Sequence, residues 1–181
     1  MRIIGGKYRS RVLAEFNGKD VRPTADRTKE SLFNILSTKL IGARVLDLFT
    51  GSGNLGLESL SRGAKEVVFN DLSRDSIAIV KKNLAALKIA VNGEEAKIYN
   101  YDALTCLDVV KGKFDIVFLD PPYALDLGRA AIEKIAKNGL LADGGVIVYE
   151  RDIAFEGEVD GLEQYDQRKY GKAYLTFFRK K

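Results

Sequence analysis

The chain has 181 residues, 46% hydrophobic and 30% charged, which is the composition of a folded globular protein and fits one domain over 1–181. It has no histidine and one cysteine, Cys106. That excludes Ser–His–Asp and Cys–His catalysis, histidine or cysteine metal sites and an internal disulfide, so no metal is expected. The net charge of +4 is unevenly spread. Residues 1–29 hold eight basic residues against three acidic ones, and the remainder sums to −1.

This basic segment, taken as an arm over 1–25 ahead of a core over 26–181, suits a polyanionic partner, with Arg9 and Arg11 as phosphate contacts. Residues 2–16 read as two short strands around Gly5-Gly6, a hairpin or an extended arm. From Asp26 to Leu40, Leu32, Ile35, Leu36 and Leu40 recur at helical spacing, with Thr24 or Asp26 as cap. The opening MRIIGGKYRSR has no apolar stretch of the kind that leads secretion, and no apolar run is long enough to span a membrane. A reducing cytoplasm and no membrane partner are therefore expected, and a monomer is the expected state.

From Ala43 onward apolar strands alternate with amphipathic helices. ARVLDLF is a strand, NLGLESLSRG a helix ending at Gly63, EVVFND a strand, and SRDSIAIVKKNLAALKI a helix. AKIYN and FDIVFLD are the third and fourth strands, LGRAAIEKIAKNG a helix, and GVIVYE the fifth strand. LEQYDQRKY and KAYLTFFRKK then form a hairpin across Gly171-Lys172. The pattern predicts an α/β fold: a mostly parallel Rossmann-like sheet covered on both faces, with a C-terminal antiparallel hairpin. That organisation resembles the class I methyltransferases.

Thr50-Gly51-Ser52-Gly53-Asn54-Leu55-Gly56 follows the first strand and opens a helix. Gly51 and Gly53 permit a tight turn, and Gly56 permits close helix–strand packing. The loop alone also fits dinucleotides, but a pyrophosphate would meet Asp47, four residues ahead of Gly51. S-adenosylmethionine has no phosphate and carries an ammonium and a sulfonium, which a carboxylate favours. Asp71, at the end of the second strand, stands where an acid accepts ribose hydroxyls. Asp102, after the third, can take an adenine amine. The candidate donor-binding set is Asp47, Thr50, Gly51, Gly53, Asn54, Asp71, Leu72, Asp102 and Ala103.

Asp120-Pro121-Pro122-Tyr123 follows the fourth strand. An exocyclic amine on a planar base is a weak nucleophile, because its lone pair is delocalised into the ring. The Asp120 carboxylate and the Pro121 carbonyl can accept its hydrogens and stabilise the charge that develops on it. The two prolines fix that carbonyl's direction, and Tyr123 offers a face for stacking. An NAD oxidoreductase fails on Asp47 and on the missing hydride-handling residues. A non-catalytic RNA-binding protein that retains the fold stays an alternative, although the loss of the glycine loop or of Asp120 that would mark it is not seen. Transfer to adenine N6 or to a protein glutamine stays open, although DNA adenine methyltransferases usually add a recognition domain for which this chain has no room.

VLDLFTGSGNLGLE, the NYDA acid and DPPY together resemble SAM-dependent amino methyltransferases. RIIGGKYRSRVL and VRPTADRTKESLFNIL are similar to the RsmD family, and the resemblance covers essentially the whole chain. It implies methyl transfer from S-adenosylmethionine to a guanine N2 amine in 16S ribosomal RNA, with the small ribosomal subunit as partner. It also implies that Arg22, Thr24 and Arg27 line the cofactor and substrate mouth.

Overall fold

The computed structural model describes residues 1–16, 23–122 and 127–181, with the side chains of residues 23–25 excepted. Five parallel strands form the centre of the sheet: β1 (Arg44–Asp47), β2 (Glu66–Asn70), β3 (Ala96–Tyr99), β4 (Phe114–Leu119) and β5 (Leu141–Arg151). β6 (Leu162–Tyr170) and β7 (Ala173–Lys180) complete it, in the order β3-β2-β1-β4-β5-β7-β6. β7 runs antiparallel to both β5 and β6, and Tyr170 pairs with Ala173 across the two-residue turn. This is the doubly covered, mostly parallel sheet with a terminal hairpin that the alternation of elements implies.

The strands alternate their side chains between two cores, as a period of two requires. Val45, Ile116, Phe118, Val146 and Val148 face one cluster, under α1 (Pro23–Ile35), α2 (Ser37–Leu40), α3 (Asn54–Ser61) and α4 (Arg74–Ala86). Leu46, Val117, Leu119, Ile147 and Tyr149 face the other, under α5 (Ala103–Val109) and α6 (Leu127–Lys137). Strands buried on both sides read as continuous apolar runs, which is why they stand out in the sequence.

Four expectations need correction. Residues 2–16 contain no strand; Arg2 and Val12 form an isolated bridge, and the turn spans residues 5–10 rather than centring on Gly5-Gly6. The segment is also no extended arm. Met1, Ile3 and Leu13 are buried in the core, and Ile4 and Gly5 donate their backbone N–H groups to Glu58. The helix expected over 26–40 starts at Pro23 and is interrupted at Leu36. Proline suits a first helical position because its missing N–H would have no intrahelical partner there, so Thr24 and Asp26 fall inside the first turn. β5 begins at Leu141, because a register shift between Phe114 and Ile116 absorbs the irregular Asp143-Gly144-Gly145 stretch. α5 was not foreseen: seven residues give too few turns to display a helical period. Among the described residues, no helix is long and apolar enough to cross a membrane.

Candidate active site

The carboxyl ends of β2, β1, β4 and β5 lie side by side, and an acid stands at or just beyond each one. Asp47 closes β1 and is 3% exposed. Its Oδ2 accepts from Thr50 Oγ1 at 2.8 Å and from the Gly56 N–H at 2.9 Å. Burial pushes its carboxyl up to about 7; the bonds from Thr50 and Gly56 oppose the shift, and Asp120 and Asp71 add to it.

The glycine loop is shaped by two different needs. Gly53 has φ 86° as it enters α3, in the left-handed region that β-carbons disfavour. Gly56 lies so close to β2 that a Cβ would come within 2.3 Å of the Phe69 ring. Asp71 then ties the loop to β2: its Oδ2 accepts from the Gly51 N–H and its Oδ1 from the Ser73 N–H, both at 2.8 Å. Asn100 donates to the carbonyls of Asp71 and Leu72, fixing this turn from the β3 side. Leu72 is 71% exposed, an apolar surface beside the acid.

Asp102 caps α5, accepting from the Thr105 N–H at 3.0 Å, and these Thr105 contacts hold it below the usual carboxylate range. Ala103 is buried in the first turn of α5. Asp120 follows β4 and is exposed, Pro121 is buried and Pro122 is exposed.

A cleft of about 760 Å³ gathers Asp47, Thr50, Asn54 and Asp120. It also takes in three features that the motifs did not point to: Lys29 of α1, Glu150 of β5 and the β6–β7 turn at Tyr170–Ala173. Lys29 is 4% exposed, donates to Asn54 Oδ1 at 2.8 Å and to the Arg2 carbonyl at 2.6 Å, and pairs with Glu58. Burial lowers its pKa, and Glu58 works against the shift. Burial, with Asp120 adding, pushes Glu150 up to about 7. Asp71, Leu72, Asp102 and Ala103 are not in the wall of this cleft but stand at the ends of β2 and β3 beyond it.

Arg27 does not line the cleft. It lines a separate groove of about 320 Å³ with Arg2, Arg9 and Ser10 of the N-terminal loop. Arg11 is exposed on the same loop. Arg22, Tyr123 and the side chain of Thr24 lie outside the described residues.

A family model described as conserved hypothetical protein 95 matches residues 1–179. The chain belongs to that family, the RsmD family. Ribosomal RNA small subunit methyltransferase D of Haemophilus influenzae is 40% identical over 154 residues, which cover 84% of this chain and 79% of that protein. The Escherichia coli protein of the same name is 39% identical over 153 residues, covering 84% and 75%. The solved structure of Escherichia coli yhhF superposes with a TM-score of 0.87 at 32% identity, over 100% of this chain and 98% of that chain. The class I methyltransferase fold follows from this likeness and from the sheet order. In this RsmD-family member Thr50 and Asn54 of the glycine loop line one cleft with Asp120, while Arg2, Arg9 and Arg27 line a separate groove.

Proposed function

We propose that the chain transfers a methyl group from S-adenosylmethionine to the exocyclic N2 amine of a guanine in small-subunit ribosomal RNA. The observation that carries this reading is the meeting of Asp47 and Asp120 in one cleft, a buried acid beside the glycine loop and an exposed acid at the end of the next strand. The names of the Haemophilus and Escherichia relatives support the choice of RNA.

The residues present fit a cationic donor without phosphates. Asp47 and Asp71 flank the glycine loop where a dinucleotide would place its pyrophosphate. Asp47 would face the ammonium and sulfonium end, Asp71 the ribose and Leu72 the adenine, with Asp102 and Ala103 beyond. Thr50 and Asn54 line the cleft, and Gly51 and Gly53, outside its wall, would bring the loop backbone close to the donor. When bound, the donor supplies an electrophilic methyl group.

The chain's own task is to present the amine. Asp120 and the Pro121 carbonyl accept the amine hydrogens, drawing the nitrogen toward tetrahedral geometry as positive charge builds on it. The alkylated nitrogen is acidic enough to lose its proton to Asp120 or to water afterwards, so no strong base is required. Tyr123 would stack on the extruded base, and the exposed Arg9, Arg11 and Arg27 would contact phosphates.

Labelled S-adenosylmethionine, unmethylated small subunits and nucleoside analysis test the proposal. Label in N2-methylguanosine is the expected result. Label in N6-methyladenosine or in protein glutamine would refute it.

A further inference from the structure

The β4–β5 register sets a second carboxyl beside Asp120. The strands run parallel with Leu119 opposite Tyr149, so the next pair along is Asp120 and Glu150. Two residues back on each strand, Phe118 and Val148 are buried in the cluster under α1. Alternation returns Asp120 and Glu150 to that same face, where both line the cleft. Neighbouring strands stand about 4.8 Å apart. On the β7 side, Glu150 pairs with the fully buried Leu175. Among the described residues no lysine or arginine forms an ion pair with Glu150.

Glu150 is half-buried, and an acid so placed without a cationic partner is harder to keep ionised than one in open water, so its place in the cleft suits a donor. Guanine supplies one. Its Watson–Crick edge carries the N2 amine and, directly beside it, the N1–H. Adenine presents its amine beside a bare N1 lone pair. Resting on the reading of Asp120 above, we propose that Glu150 selects guanine, its carboxylate accepting the N1–H while Asp120 takes the amine on the adjacent strand. An adenine with its amine at Asp120 would turn a lone pair toward Glu150, leaving two acceptors face to face. Sites built to bond a donor reject analogues that lack it by orders of magnitude. Because burial and the neighbouring Asp120 raise the Glu150 carboxyl to about 7, the two bases are to be compared at pH 8, where the carboxylate that accepts the N1–H predominates.

The test uses small-subunit RNA in which the methylated guanine is replaced by 2-aminopurine through splinted ligation, followed by reconstitution with the ribosomal proteins. 2-Aminopurine keeps the N2 amine and lacks the N1 hydrogen. The wild-type protein is expected to methylate it at least 100-fold less efficiently in kcat/KM than guanine in a ligated control. Glu150→Gln can turn its amide NH2 toward the bare N1 and should narrow the ratio to less than tenfold. Glu150→Ala should narrow it as well, by slowing guanine. Equal wild-type rates on the two bases overturn the proposal, whatever the variants do. So does an unchanged ratio in both variants, or loss of both substrates by variants that bind S-adenosylmethionine normally, since Glu150 would then serve transfer rather than selection. Failure of the underlying function looks different: the wild-type protein would place no methyl on guanine in the control.

Discussion

The Lys29 ammonium lies 3.3 Å from the Glu58 carboxylate, with the two side chains 4% and 0% exposed. Glu58 also accepts from the Ile4 and Gly5 N–H groups and from Arg62 Nε, while Lys29 reaches the Arg2 carbonyl and Asn54. One buried pair thus joins the N-terminal loop, α1 and the helix that follows the glycine loop. Removing Lys29 leaves Glu58 to Arg62 and the two N–H groups, but takes the donor from Asn54 and from the Arg2 carbonyl. Lys29→Met is expected to lose about 1–3 kcal/mol of stability. Urea unfolding measures it, and a loss below about 1 kcal/mol, the scale of a surface pair, would show the pair to be incidental.

The same anchoring decides how the basic loop should be tested. Deleting it would remove Met1 and Ile3 from the core and strand Glu58. Neutralising the exposed arginines leaves the backbone in place. The triple change Arg9→Ala, Arg11→Ala and Arg27→Ala should weaken RNA binding. It should also flatten the slope of log affinity against log salt by roughly 0.7 per lost phosphate contact on single-stranded RNA. Affinity for S-adenosylmethionine should stay within about twofold, because these side chains lie outside the cleft. Filter binding across a salt series reads the slope, and an unchanged slope would make the arginines ordinary solvated surface.

Asp47 links stability to pH. Its folded carboxyl sits at about 7, whereas an unfolded aspartate titrates near 3.9. Between roughly pH 4 and pH 7 the native state holds a proton that the unfolded chain has released, so stability falls as pH rises and levels off above 7. Glu150, also raised to about 7, contributes with the same sign. Asp47→Asn should therefore remove part of the fall and leave the variant more stable than wild type at pH 8. It should lose at least tenfold in affinity for S-adenosylmethionine, since the counter-charge is gone. Thermal unfolding from pH 4 to pH 8 and calorimetry of binding check the two halves. A variant less stable at pH 8 would contradict the burial argument.

Gly56→Ala probes the seat of the glycine loop. The added methyl would meet the Phe69 ring at 2.3 Å, and both residues are buried. Overpacking of this kind costs about 1–3 kcal/mol. Urea unfolding should register that loss, and an unperturbed midpoint would mean that β2 and α3 can part freely.

What the sequence disclosed follows from which physical signals are local. Val45, Phe118 and Val148 lie in runs that are apolar on both faces, so the central strands and the covering of the sheet on both sides were readable, whereas the order of the strands was not. Gly56 and Asp47 were readable because the loop needs them at fixed spacing. Lys29 and Glu58 were not, because a lysine and a glutamate on amphipathic helices look like solvent-facing residues; only packing across 29 positions brings them together. Glu150 was hidden for a similar reason. It ends an apolar strand, and its meaning depends on the β4–β5 register that sets it beside Asp120. The groove that holds Arg27 arises because the N-terminal loop folds back onto α1, which charge counting does not reveal.

The central claim is that Asp120 drives methyl transfer to guanine N2. Single-turnover transfer from labelled S-adenosylmethionine to unmethylated small subunits, by wild type and by Asp120→Ala side by side, tests it most directly. The account predicts N2-methylguanosine as the product, a rate lower by on the order of 100-fold or more in the variant, and nearly unchanged donor affinity. Transfer by Asp120→Ala at close to the wild-type rate, or label on adenine or protein, would contradict it.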